Sequence, residues 1–138
     1  MRSFRIAAVL GVTVLGITSI ADAAGLDGTG KAICATSETY DCAPNGECIR
    51  DTPEGVDLPR FIQIDFAAKT AVTKRISGEE RKAVIDSLRT ENGNLLLQGV
   101  QSDVGWSMNI SQETGAMSLV VAGDQVGIVV FGNCTNLK

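Results

Sequence analysis

Residues 105–123 read GWSMNISQETGAMSLVVAG. Trp106, Met108 and Ile110 alternate with Ser107, Asn109 and Ser111; a polar step, Gln112 to Gly115, then leads into the apolar segment Met117 to Val121. Successive side chains of a strand point to opposite faces, so a two-residue period on either side of a short turn predicts a β-hairpin with one buried face. Residues 61–73, FIQIDFAAKTAVT, follow the same plan: Phe61, Ile62, Ile64 and Phe66 are interleaved with Gln63 and Asp65 before the turn around Ala67-Ala68-Lys69. Between and beyond these hairpins, ENGN precedes LLLQGVQ, SDVG precedes the tryptophan segment, and Asp124-Gln125 precedes VGIVVFGNCT. Short branched segments separated by Gly, Asn, Asp and Ser turns at roughly 8–12-residue intervals predict an all-β chain. Turns this short join antiparallel neighbours, so the expected architecture is a small antiparallel meander forming a barrel or sandwich.

One segment reads two ways. Ser77-Gly78-Glu79-Glu80 fits a hairpin turn between AVTKRI and RKAVID, and it also fits a capping box opening a short helix near 78–89, with Val84, Ile85 and Leu88 as its apolar stripe. The strand reading is favoured because the neighbours on both sides are short hairpins.

The first residues predict export. Arg2 and Arg5 form a basic start, Ile6 to Ile20 an uncharged apolar stretch, and Ala21-Asp22-Ala23 an A-x-A cleavage site. That stretch is about 15 residues long, short of the roughly 20 needed to span a bilayer, so no stable membrane anchor is expected. The expected organisation is a signal peptide at 1–23, a flexible glycine-rich leader at 24–33 and a single β domain at 34–138. GLDGTG in the leader lacks the preceding strand and following helix of a phosphate-binding loop. After cleavage the chain carries 10 Lys+Arg against 15 Asp+Glu, a net charge of −5. Acidity disfavours nucleic acid and anionic membranes and suits a basic partner protein, periplasmic or extracellular.

Cys34, Cys42, Cys48 and Cys134 all lie in the exported part. An even count in an oxidising compartment points to two disulfides, with three possible connectivities. Pro44 and Asn45-Gly46 are turn residues that bring Cys42 and Cys48 together, which leaves Cys34–Cys134 to join the first strand to the last. The Cys42-x5-Cys48 spacing is too wide for a usual zinc knuckle, and there is no C-x-x-C redox motif.

No catalytic signature emerges. Histidine is absent, which removes the usual general base and the commonest transition-metal ligand. Glu79-Glu80 falls in a solvated turn beside Arg81 and Lys82, a poor setting for paired acid catalysis. The chain is therefore read as non-enzymatic, with no metal or cofactor. Asn109-Ile110-Ser111 and Asn133-Cys134-Thr135 match the glycosylation triplet by coincidence.

Two candidate sites remain. The first is the stapled acidic loop Cys42–Pro59, with Asp41, Glu47, Asp51, Glu54 and Asp57 as a contact surface for a basic protein. Its oxygens would suit calcium, but their spacing matches no calcium loop. The second is an apolar barrel interior near Trp106 and Met108, able to carry a small ligand if Trp106 lines the mouth instead of packing in the core.

The segments FIQIDFAAKTAVT, GWSMNISQETGAMSLVVAG and the closing FGNCT are similar to those of small exported bacterial β-meander proteins of uncharacterised function. The resemblance covers roughly residues 34–135 and implies a periplasmic home without supplying catalytic residues. The chain also resembles periplasmic lysozyme inhibitors, small β-barrels that tie an early cysteine to a late one. It has no copy of their inhibitory loop motif, so no site residue is carried over.

Overall fold

Every regular element among the described residues is a β-strand. The computed structural model describes residues 25–75 and 77–137, so the signal peptide expected at 1–23 lies outside the described residues. The strands are β1 (Lys31–Cys42), β2 (Cys48–Asp51), β3 (Phe61–Asp65), β4 (Thr70–Lys74) and β5 (Glu80–Val84), followed by β6 (Ser87–Glu91), β7 (Asn94–Gln101), β8 (Val104–Ser111), β9 (Ala116–Gly123) and β10 (Val126–Leu137). The two hairpins read from the sequence are β3–β4 and β8–β9. The Asn92-Gly93 step turns β6 into β7 with both residues at positive φ, 49° and 75°, as a tight two-residue hairpin loop requires.

All pairings are antiparallel, in the order β5-β4-β3-β1-β10-β9-β8-β7-β6, with β2 pairing the far half of β1. The sheet curls into a half-barrel whose two edge strands, β5 and β6, are consecutive in the chain. They are parts of one extended segment that leaves one edge and joins the other, bending at Ile85-Asp86. There the Ile85 N–H donates to Lys69 O and the Asp86 N–H to Gln98 O, each at 2.9 Å, while the Asp86 carboxylate accepts from the Val100 N–H at 3.2 Å.

The helix alternative for 78–89 is not adopted. The Gly78 N–H closes a turn on Arg75 O at 2.9 Å, with φ 86° at Gly78, and the chain runs directly into β5. A helix would gather Val84, Ile85 and Leu88 on one face. The extended chain instead buries Ile85, just after β5, to 1% exposure and leaves Val84, the last residue of β5, 57% exposed. A period of two, locked by pairing with β4, prevails over the capping pattern.

Inward side chains from β1, β3, β4 and β7 to β10 form one core, with Cys34, Ile64, Leu95, Leu97, Ile110 and Val130 at most 1% exposed. The leader departs from expectation. Leu26 is 1% exposed and plugs one end of the half-barrel, its carbonyl accepting from Gln112 Nε2 at 2.8 Å. The Gly25 carbonyl accepts from Asn136 Nδ2 at 3.1 Å, and β1 begins at Lys31, before the expected boundary at 34. A single buried leucine gives this glycine-rich segment the apolar anchor that its composition obscures.

Both disulfides form as the spacing suggests. Cys34 faces Cys134 across β1–β10, and Cys42 faces Cys48 across β1–β2. Directly opposed residues of antiparallel strands bring their Cβ atoms within bonding reach. Disulfides of this kind point to a non-cytoplasmic compartment. Among the described residues no helix is long and apolar enough to cross a membrane.

Candidate functional site

The site is set by an interruption in one edge of β1. Residues 31–35 of β1 pair with β3 and residues 39–42 pair with β2, with a bulge between Thr36 and Glu38 separating the halves. β2 and β3 thus follow one another along the same edge, and residues 52–60 between them leave the sheet as a strap across the barrel mouth. Backbone bonds fold the strap on itself: Gly55 N to Thr52 O at 3.1 Å, Asp57 N to Glu54 O at 3.2 Å and Leu58 N to Pro53 O at 2.8 Å. Its end is tied to the bulge by Thr36 N donating to Arg60 O at 2.9 Å. Val56 and Leu58 pack on the core, so the strap closes the mouth with apolar side chains.

The acidic side chains do not form one free cluster. Glu54 is ion-paired with Arg60, whose guanidinium is the main reason the Glu54 carboxyl is held below its ordinary value. Asp57, at φ 57°, is ion-paired with Arg75, and its carboxylate lies 3.6 Å from Arg81 Nη1. Asp51 accepts from the Thr52 N–H at 2.6 Å and packs on the Gly55 backbone, where an added Cβ would lie 2.2 Å from the carboxylate. Glu47 accepts from Asn45 Nδ2 at 2.9 Å within the Cys42–Cys48 turn, and Asp41 sits in β1 opposite Ile49. Of the five acids, Asp57 therefore latches the strap to the barrel, Glu54 fastens the strap to its own end at Arg60, and Asp51 shapes it. Among the described residues no group of three or more Cys, Asp and Glu side chains is placed to hold a metal ion.

Beneath the strap lies a cavity of about 330 Å³. Asp57, Leu58 and Pro59 roof it, Trp106, Met108, Leu119 and Val121 form one wall, and Ile62, Ala71 and Ala83 the other. Trp106 and Met108 thus meet at one site, and Trp106 is half-buried at the mouth end of β8. Its ring lies across Gly99, its partner in β7, where only the absence of a side chain leaves room: an added Cβ would be 2.5 Å from Trp106 Cζ2. A wider groove of about 870 Å³ opens on the outer side of the strap; half-buried Leu58, Pro59 and Val72 share its walls with the exposed charged residues Arg60, Lys74 and Glu80.

Arg75 and Arg81, at the rim, carry no role in the sequence reading. Thr73, Arg75, Arg81 and Ala83 all line the cavity, on adjacent strands in register, Thr73 opposite Arg81 and Ala71 opposite Ala83. Their signal in the sequence is parity: Arg75 is in phase with Ala71 and Thr73, and Arg81 with Ala83 and Ile85. Among the described residues, three buried side-chain polar atoms have no protein partner, namely Thr39 Oγ1, Arg75 Nε and Trp106 Nε1. Two of the three belong to residues lining this cavity. Each such group forfeits roughly 1–3 kcal/mol of desolvation that an acceptor would restore.

No protein-family model matches the chain, and no curated protein matches it.

Proposed function

We propose that the protein is an exported, periplasmic, non-enzymatic binding protein that carries a small, mainly apolar ligand in the strap-covered cavity. The observation that carries this reading is the pairing of an apolar wall with an unsatisfied donor: Trp106 borders about 330 Å³ of space, and its indole N–H has no partner among the described residues. A cavity of this size falls at the small end of the roughly 300–1,000 Å³ range of ligand sites, whose usual composition is apolar walls with a few placed polar groups. The half-barrel supports the rigid wall and the strap provides an entrance. The disulfides and the signal-like start favour the periplasm. Contact with a basic protein through the acidic strap ranks second, because Glu54 and Asp57 already spend their charge on Arg60, Arg75 and Arg81.

Trp106 is the only tryptophan of the chain, so its emission reports on the cavity alone. Titration of the oxidised protein with a neutral apolar probe such as 1-decanol is expected to shift and saturate that emission. A linear, unsaturating response to every member of a panel of neutral and anionic amphiphiles refutes the carrier reading.

A further inference from the structure

We infer that the ligand is an amphipathic anion, and that its carboxylate opens the strap by replacing Asp57 on Arg75 and Arg81. The inference rests on the carrier reading and adds the ligand's chemical class and the means of entry.

The argument starts from where the two arginines lie. β4 and β5 place Arg75 and Arg81 at the rim of an apolar cavity, with one carboxylate, Asp57, between them. Arg75 Nη1 also reaches Glu79 Oε2 at 3.4 Å, and its Nε is buried without a partner among the described residues. A guanidinium has donors on both edges of its planar fork, so Arg75 retains capacity for a further acceptor. An apolar cavity with cationic groups only at its rim matches an alkyl chain ending in a carboxylate.

The roof is fastened by the same charges. Asp57 belongs to the strap, and its side chain is 64% exposed, so water and an incoming anion both reach it. An exposed ion pair contributes little net stability, so displacement of Asp57 costs little, and a ligand carboxylate seated at the rim gains an additional hydrogen bond from Arg75 Nε. Burial of the alkyl chain then tips the exchange toward the ligand. A neutral chain of equal length enters only when the strap opens by itself, and once bound it gains nothing from the arginines and leaves the Asp57 latch in place.

The test compares decanoate with 1-decanol on the oxidised exported chain at neutral pH, read by Trp106 emission. Wild type is expected to bind decanoate about tenfold more tightly than decanol, the scale of one charge-assisted hydrogen bond. Asp57→Asn is expected to strengthen decanoate binding and leave decanol unchanged, and Arg75→Gln with Arg81→Gln to abolish the preference. If the double variant fails to fold, Asp57→Asn alone decides, since asparagine keeps the shape of the side chain and tolerates the positive φ at this position. Equal binding of the two probes, or an Asp57→Asn effect common to both, overturns the anion inference and leaves the carrier reading standing. Binding of neither probe overturns both.

Discussion

Replacement of Gly99 by alanine tests the placement of Trp106 most directly. An alanine Cβ at this position would stand 2.5 Å from Trp106 Cζ2 and 2.5 Å from the Val84 carbonyl oxygen. Ordinary contacts lie near 3.5–4.0 Å, so ring, backbone or both must yield by about 1 Å. Overpacking of this kind costs about 1–3 kcal/mol, and the lower chain entropy of alanine in the unfolded state returns about 0.4–1 kcal/mol. The expected net loss is about 1–2 kcal/mol, or roughly 5–10 °C in Tm for a domain of this size. Thermal unfolding followed by circular dichroism measures the loss, and Trp106 emission reports whether the ring is the part that moves. A second variant separates the two obstacles: Trp106→Leu removes the ring and leaves the Val84 carbonyl. If the ring bears most of the strain, the double variant Gly99→Ala, Trp106→Leu is less destabilised than the sum of the singles. A Gly99→Ala protein within about 0.5 kcal/mol of wild type and with unchanged emission refutes the assigned geometry.

The two disulfides are expected to differ in weight. By loop-closure entropy, removal of Cys34–Cys134, with a sequence separation of 100, costs about 4.7 kcal/mol, whereas removal of Cys42–Cys48, with a separation of 6, costs about 2 kcal/mol; denaturant unfolding of the paired Cys→Ser variants measures both. Asp86→Ala removes the carboxylate that accepts from the Val100 N–H and is expected to cost roughly 1–2 kcal/mol, with faster amide exchange at Val100 as its local sign. The Glu54–Arg60 pair holds the Glu54 carboxyl below its ordinary value of 4.5, so its contribution is fully present above that value and is lost only as pH falls through the lower folded value. Limited proteolysis of the strap is therefore expected to accelerate in that acid range for wild type, and Glu54→Gln to show the faster cleavage at neutral pH as well.

The fold was legible because its information is local. Alternation within Phe61 to Thr73 and Trp106 to Val121 identified strands, and the turn residues between them set antiparallel pairing. The Cys42–Cys48 bridge was legible for the same reason, being closed by its own turn. Leu26 was not, since one apolar residue among glycines has no period, and its value comes only from the barrel end that receives it. The site was half legible. Trp106 and Met108 stood out as apolar members of one strand face, but the partners of the strap acids did not, because Asp57 meets Arg75 across 18 residues of sequence and a curled sheet. An acid count along the strap reads as free negative charge until the sheet brings the arginines beneath it.

Those arginines separate a structural role for the strap from a binding one. A barrel mouth closed only for stability is served well by apolar side chains, since an ion pair with one exposed partner adds little net stability. Val56 and Leu58 already provide such closure from the strap. Arg75, only 26% exposed in its side chain, holds a charge in that apolar setting and balances it with a carboxylate on the strap. Among the described residues the arrangement leaves the donors Arg75 Nε and Trp106 Nε1 without partners. It adds little to closure that leucines would not supply, and it couples the roof of the cavity to the charge at its rim. A mouth that must admit a charged guest has use for that coupling; a permanently sealed one has none.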